Sequence, residues 1–210
     1  MKRAPFITFE GGEGAGKSTQ IRLVSETLAK RRTAHIVTRE PGGSPGGEEI
    51  RQLLVTGRAE RWSPVTETLL FYAARVDHWH KVILPALEAG TVVLCDRFAD
   101  STMAYQACAG GLDRDLIEKL HALVLPGVQP DLTVILDFDP AMGLARAAAR
   151  PGAEARFESK GLAFHERLRA GYLDIARRNP DRCRVIDANR AIDAIARDVL
   201  RAVDDQIART

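Results

Sequence analysis

Five short apolar runs recur along the chain, at Phe6–Glu10, His35–Arg39, Thr91–Asp96, Leu132–Asp137 and Arg184–Asp187. Each is strand-length and bounded by polar or turn-forming residues, so each predicts a β-strand. Between them, apolar residues return every three or four positions. That period predicts helices at Lys17–Arg32, Gly47–Thr56, Pro64–Ala89, Asp113–Val124, Pro140–Arg150, Gly161–Arg178 and Ile192–Arg209. Pro45, Pro64 and Pro140 fall at or just before helix starts, where a missing N–H does no harm. Strands separated by helical crossovers predict a parallel sheet covered by helices on both faces. Thr91-Val-Val-Leu-Cys and Leu132-Thr-Val-Ile-Leu are nearly all apolar, as strands buried on both sides are. Two segments lack an apolar period, Pro41–Gly47 and Arg150–Ala155, and are read as functional loops. With no internal repeat or low-complexity linker, the expectation is one α/β domain over residues 1–210.

Composition narrows the partners. A chain of 210 residues, 45% hydrophobic, is long enough for a real core. Its 30 basic and 28 acidic residues leave a net charge of +2, too balanced for a protein that coats nucleic acid. Cys95, Cys108 and Cys183 are odd in number and have no CxxC spacing, which argues against a disulfide framework or zinc site and for a reducing cytoplasm. Cys95 lies inside an apolar run and is read as a small core residue. Lys2 and Arg3 are not followed by an apolar leader region, and no apolar run is long enough to cross a bilayer.

The first chemistry-bearing segment follows the first strand at once. Gly11, Gly12, Glu13, Gly14, Ala15, Gly16, Lys17, Ser18 and Thr19 match the spacing G-x4-G-K-[ST] of a phosphate-binding loop at a strand-to-helix turn. Glycines let successive backbone N–H groups point at phosphate oxygens, and the following helix adds its positive end. Lys17 suits the β- and γ-phosphates, and the Ser18 hydroxyl suits Mg²⁺. The loop predicts a nucleoside triphosphate without saying which enzyme uses it. The Asn-Lys-x-Asp motif of guanine readers is missing; Asn189-Arg-Ala-Ile-Asp193 has the wrong spacing and no lysine.

A second constellation ends the third strand, at Asp96-Arg97. In parallel sheets the carboxyl ends of strands carry the site, so Asp96 suits Mg²⁺ or its waters and Arg97 suits a phosphate. The pair also fits a capping Asp beside a surface Arg. On the 64–89 helix, Val65, Leu69, Tyr72, Val76, Ile83 and Leu87 form a stripe read as core. Phe71, Arg75, His78 and Val82 form a second stripe. Phe71 and Arg75, at i and i+4, can offer a ring and a guanidinium to a planar base. The same spacing fits a core Phe71 with a solvated Arg75. His78 and His80 are read as structural or exposed.

Taken together, these segments resemble bacterial thymidylate kinases. The resemblance runs through Phe6–Thr19, Thr38–Gly43 and Leu70–Arg75, then Asp96-Arg97-Phe98, Asp100–Gln106, Pro130–Asp137 and Arg156-Phe-Glu158, in the family's order and over nearly the whole chain. It implies transfer of the γ-phosphoryl group of ATP to dTMP, giving dTDP and ADP, with Mg²⁺. It also implies a P-loop kinase fold with a five-stranded parallel sheet of order 2-3-1-4-5, and a homodimer. By position, Phe71 would stack on thymine, Arg75 would bond its O4, and Thr102 and Gln106 would hold its polar edge. Tyr105 would lie beneath the sugar, Arg97 and Arg51 would hold the monophosphate, Glu13 would reach the 3′-hydroxyl side, and Glu40 would line the same pocket. Some family members carry a basic residue inside the phosphate loop; others supply it from a lid. Here the loop has Gly12, Glu13 and Ala15, whereas the lid, about 150–160, and its approach carry Arg146, Arg150, Arg156 and Lys160. The resemblance therefore implies that Arg156, or else Arg150, acts as the arginine finger, with Arg146 on the adenine. Phe98 stands where Tyr or His is common in the family. Two other readings stay open: another deoxynucleoside or nucleotide kinase, which a substrate panel separates, and a non-catalytic P-loop subunit, which would bind ATP without converting dTMP.

Overall fold

The computed structural model describes residues 3–58, 61–149, 157 and 159–209. Its centre is a five-stranded parallel sheet: β1 (Phe6–Glu10), β2 (His35–Arg39), β3 (Val92–Asp96), β4 (Leu132–Asp137) and β5 (Cys183–Asp187). The order is β2-β3-β1-β4-β5, as the family resemblance implied. β1 therefore lies between β3 and β4, and the winding reverses direction there. Open α/β sheets bind ligands outside the carboxyl ends of strands at such a point. The register sets Phe9 beside Asp96 and Glu10 beside Ile135, so three functional strand ends share one edge.

Helices cover both faces. On one, Ile21, Val24 and Leu28 of α1 (Lys17–Lys30) and Ile195, Val199 and Val203 of α9 (Ile192–Ile207) pack on Ile7, Phe9, Leu94, Val134 and Leu136. On the other, Trp79, Ile83 and Leu87 pack on Phe6, Val93 and Cys95, and Phe164, Leu168, Tyr172 and Ile175 of α8 (Leu162–Arg178) pack around Ile135. Each fully buried Leu or Phe here contributes about 1.5–3 kcal/mol by leaving water. Cys95 is such a core residue, and burial pushes its thiol well above the usual range.

Three helices start alike. Pro45, Pro64 and Pro140 each occupy the first turn, and Ser44, Ser63 and Asp139 accept from the N–H of Gly47, Thr66 and Met142. These begin α2 (Pro45–Val55), α3 (Pro64–His78) and α7 (Pro140–Ala148). The segment 41–47, read as a loop, is thus half helix: Ser44 caps it, and only Gly42 and Gly43 need the left-handed region, with φ of 123° and 81°.

Other expectations shift as well. The 64–89 helix is continuous but not uniform. A π-helical turn, Trp79–Ile83, separates α3 from α4 (Leu84–Glu88). Pro85 lacks an N–H and its ring crowds the carbonyl four residues back, which the wider turn relieves. Val65 and Leu69, read as core, are 45% and 52% exposed. The inward side of α3 instead carries Glu67, Thr68, Tyr72, Arg75 and His78; Tyr72 packs in a core cluster, the polar members are hydrogen-bonded to Gln106, Pro64 O and Glu40, and Arg75 reaches the cleft. A helix absent from the sequence reading covers 99–109: α5 (Ala99–Thr102) and a π-helical run, Met103–Ala109. Its small and polar residues show no apolar period. α6 (Arg114–Val124) follows. No helix among the described residues is long and apolar enough to cross a membrane. Of the lid expected at 150–160, only Phe157, Ser159 and Lys160 lie among the described residues.

Candidate active site

The phosphate loop owes its shape to two glycines in particular. Gly11 has φ of 132°, and a Cβ there would stand 2.5 Å from the Leu136 carbonyl oxygen. Gly14 has φ of 68° and abuts the Gly143 backbone, leaving no room for a side chain. α1 then begins at Lys17 from Gly16, with no side-chain cap on its first N–H groups. Uncapped donors at the positive end of a 14-residue helix form a site for an anion. Lys17 Nζ donates to the carbonyls of Gly11 and Gly12 at 3.1 and 3.0 Å. Burial pulls its ammonium below the usual range; Arg97 adds to that, and Asp96, Glu13 and Glu10 oppose it.

The loop is one wall of a cleft of about 880 Å³. Glu13, Gly14, Gly16, Lys17 and Ser18 line it, and across from them stand Asp96, Arg97, Glu40, Arg51, Phe71, Arg75, Thr102, Tyr105, Gln106 and Phe157. Gly11, Gly12, Ala15 and Thr19 lie behind that wall, with Ala15 in the core. Arg146 is exposed and outside the cleft, its guanidinium 4.2 Å from the Phe138 ring centre. Arg150 and Arg156 fall outside the described residues. Lys160 sits over the rings of Phe157 and Phe164.

Arg97 anchors the centre. Its φ is 71°, a conformation that residues with a Cβ rarely take. Nη2 donates to Glu13 Oε1 at 3.0 Å, and Nη1 donates to Gly11 O, Ser101 Oγ and Tyr172 Oη at 3.1, 3.2 and 3.1 Å. Tyr105 Oη donates to the same Glu13 oxygen at 2.6 Å, and its ring lies 5.0 Å from the guanidinium. Burial alone would raise Glu13, but Arg97, Lys17 and the Tyr105 hydroxyl hold its carboxyl at about 2. It is a fixed anion at any working pH.

Arg75 is 1% exposed, not solvated. Nε donates to Glu40 Oε2 at 2.7 Å, and Nη2 donates to Phe98 O and Thr102 Oγ1 at 3.0 Å each. Nη1 is buried without a partner while Arg75 lines the cleft beside Phe71. An unpartnered buried N–H of a cation is costly unless a ligand accepts from it. Glu40 is steadied by His78, whose Nδ1 lies 3.1 Å from Oε1 and whose Nε2 lies 2.7 Å from Thr38 Oγ1. Gln106 Nε2 donates to Glu67 Oε1 at 2.9 Å, and Arg51 Nη1 donates to Pro41 O at 2.6 Å.

Ser18 Oγ lies 3.4 Å from Asp96 Oδ2, while Asp96 Oδ1 is buried without a partner. A hydroxyl beside a half-satisfied carboxylate at the mouth of a phosphate loop fits Mg²⁺, which takes few protein oxygens and completes its shell with water and phosphate.

A family model for thymidylate kinase matches residues 9–199. The chain belongs to the thymidylate kinase family. It is accordingly an ATP-dependent kinase that converts dTMP to dTDP, a step in dTTP synthesis. A thymidylate kinase of Caulobacter vibrioides is 64% identical over 195 residues, covering 93% of each chain. One of Ruegeria pomeroyi is 53% identical over 205 residues, covering 98% of this chain and 97% of the relative. A crystal structure of thymidylate kinase from Ehrlichia chaffeensis aligns with a TM-score of 0.77 at 36% identity, over 96% of this chain and 99% of that one.

Sequence reasoning missed several residues of this thymidylate kinase site: Glu10, Ser101, Tyr172 and Phe157. Glu10 closes β1 and is fully buried. Burial and the neighbouring Asp100 charge raise its carboxyl to about 7, against the pull of Arg97 and of hydrogen bonds from Ser101 and Phe98. A carboxyl whose folded value lies above its unfolded one contributes stability below the unfolded value and loses it as pH rises through the folded value. From pH 4.5 to about 8, the parent chain should therefore lose on the order of 3 kcal/mol relative to Glu10→Gln. Denaturant unfolding of both proteins across that range checks it; a difference independent of pH would contradict it.

Proposed function

We propose that the cleft achieves phosphoryl transfer by alignment and charge neutralisation, with the ATP phosphates on the loop and dTMP on the Arg97–Arg75 side. The single observation that carries the acceptor side is Arg75, which lines the cleft beside Phe71 with its Nη1 buried and unpartnered. A thymine carbonyl, O4 by the family resemblance, satisfies that donor while Phe71 offers its ring for stacking. Thr102, Tyr105 and Gln106 line the same cleft, and by the family resemblance Thr102 and Gln106 meet the base's polar edge and Tyr105 lies beneath the sugar. Arg97 and Arg51 receive the monophosphate, and Glu13 and Glu40 face the sugar and base.

The attacking atom is a phosphate oxygen of dTMP, already a good nucleophile, so no strong base is needed. Lys17 and the α1 N-terminus receive the triphosphate. Ser18 and Asp96 would hold Mg²⁺, which supplies neutralisation of phosphate charge when bound. The remaining charge falls to Arg156, or else Arg150, in a lid, with Arg146 free to lie on the adenine.

The exposed Val65 and Leu69 of α3, together with Leu116 and Leu123 of the adjacent α6, support a homodimer through this apolar side. Light scattering on the purified chain reads its mass directly, and a monomer at micromolar concentration would sink that reading. Three free cysteines, two of them buried, support a reducing cytoplasmic setting.

The deciding experiment assays a panel of nucleosides and nucleotides with ATP and Mg²⁺. dTMP should give the highest kcat/KM, with dUMP trailing by the worth of one methyl group, about 1–3 kcal/mol. A nucleoside preferred over dTMP, or ATP binding without conversion of dTMP, would refute it.

A further inference from the structure

Glu10 ends β1 one residue before the phosphate loop and is fully buried. A buried carboxylate must be matched by donors, and here the donors belong to the turn after β3 and its support. Oε1 accepts from the Phe98 N–H at 2.7 Å. Oε2 accepts from Ser101 Oγ at 2.5 Å and Tyr172 Oη at 3.1 Å. Those two hydroxyls are also the ones that accept from Arg97 Nη1.

The backbone makes the same link. Arg97 sits in the left-handed region, at φ 71°, which a residue with a side chain holds only when its surroundings impose it. Its own N–H donates to Phe9 O at 3.0 Å, and the next N–H, of Phe98, is the one bound by Glu10. The last two residues of β1 thus grip the strained residue from both sides.

We propose that Glu10 is a positioning residue, holding the Arg97 turn and its two hydroxyl supports so that the guanidinium points along the cleft at the acceptor phosphate. This rests on the reading that Arg97 holds that phosphate. The chemistry calls for a carboxylate. Three donors converge on two oxygens, and in the ionised form, which prevails above about pH 7, neither oxygen has anything to donate back. A glutamine would turn an NH₂ group toward either the Phe98 N–H or the hydroxyl pair, and one of them would lose its acceptor. A purely structural Glu10 would instead support the adjacent Gly11, so its loss would damage ATP binding first.

The test is a double-mutant cycle of Glu10→Gln and Arg97→Ala. It takes steady-state kinetics in dTMP, and ATP affinity measured without dTMP. Glu10→Gln should lower kcat/KM for dTMP about 10- to 100-fold, the scale of a misplaced catalytic group. ATP affinity should stay within about twofold, and the loss should vanish in the Arg97→Ala background, because coupled residues are not additive. Full additivity, ATP affinity falling in step, or an unchanged kcat/KM would each overturn the proposal. If Arg97→Ala itself leaves dTMP kinetics intact, the phosphate reading of Arg97 fails instead. Should Glu10→Gln not fold, Ser101→Ala removes the hydroxyl shared by Glu10 and Arg97. The same loss without additivity is expected, and an additive or absent effect overturns the proposal.

Discussion

Arg156→Ala is expected to lower kcat about 10³-fold or more while KM for dTMP changes little, the signature of a lost arginine finger. Phosphoryl transfer spreads negative charge over the transferring group, and cations must meet it there. Gly12, Glu13 and Ala15 bring no base to the phosphate loop. Lys17, Arg97 and Arg51 line the cleft and are assigned to the bound phosphates, and Arg75 is paired with Glu40, so a further cation for the transferring group has to come from outside them. Phe157, next in sequence after Arg156, lines the cleft. Steady-state kinetics of Arg156→Ala and Arg150→Ala in parallel make the check. An unchanged kcat in the first and a collapse in the second would move the role to Arg150.

Arg75→Ala should fail differently, by loss of stability as well as of substrate. Arg75 and Glu40 form a 2.7 Å ion pair with side chains 1% and 3% exposed. Removing one partner of a buried pair leaves the other charge uncompensated and costs about 3–5 kcal/mol. In a chain of this size each kcal/mol moves the melting temperature by roughly 2–4 °C. A raised KM for dTMP in Arg75→Ala therefore mixes two causes. Arg75→Lys keeps a cation for Glu40 but removes the partnerless Nη1. It also loses the Nη2 bonds to Phe98 O and Thr102 Oγ1, so it should melt between Arg75→Ala and the parent, while KM for dTMP rises about tenfold and KM for ATP stays put, since one hydrogen bond from a charged group is worth about 1.5–3 kcal/mol. Equal rises in both KM values would dismiss Arg75 as a reader of the base.

Most of the residues that line the cleft were legible because their pattern is local. The phosphate loop is one contiguous stretch whose glycines do a job no other residue can. Asp96-Arg97 sits at a strand end, where parallel sheets put their ligands. Phe71 and Arg75 share a helix face by spacing alone. Other features leave no local pattern. The 99–109 helix has small and polar residues with no period to detect. Val65 and Leu69 read as core because periodicity finds an apolar stripe without saying which side of the helix faces the sheet. The inward face of α3 is largely polar because its buried polar groups find partners there, Glu67 in Gln106 and both Arg75 and His78 in Glu40, which periodicity does not encode.

What the sequence determined by itself was the order of the strands and the longer helices, the parallel sheet, the phosphate loop and, through shared motifs, the family. These depend on local pattern and on residue types in fixed spacing. What only the tertiary structure decided was how distant residues are paired. Glu10 and Tyr172 are 162 positions apart, Glu40 and Arg75 are 35 apart, and Glu13 meets Arg97 across 84. No periodicity encodes those pairings. They arise because β1 is inserted between β3 and β4, bringing three strand ends to one edge, and because a carboxylate buried there must find its donors among whatever the fold delivers.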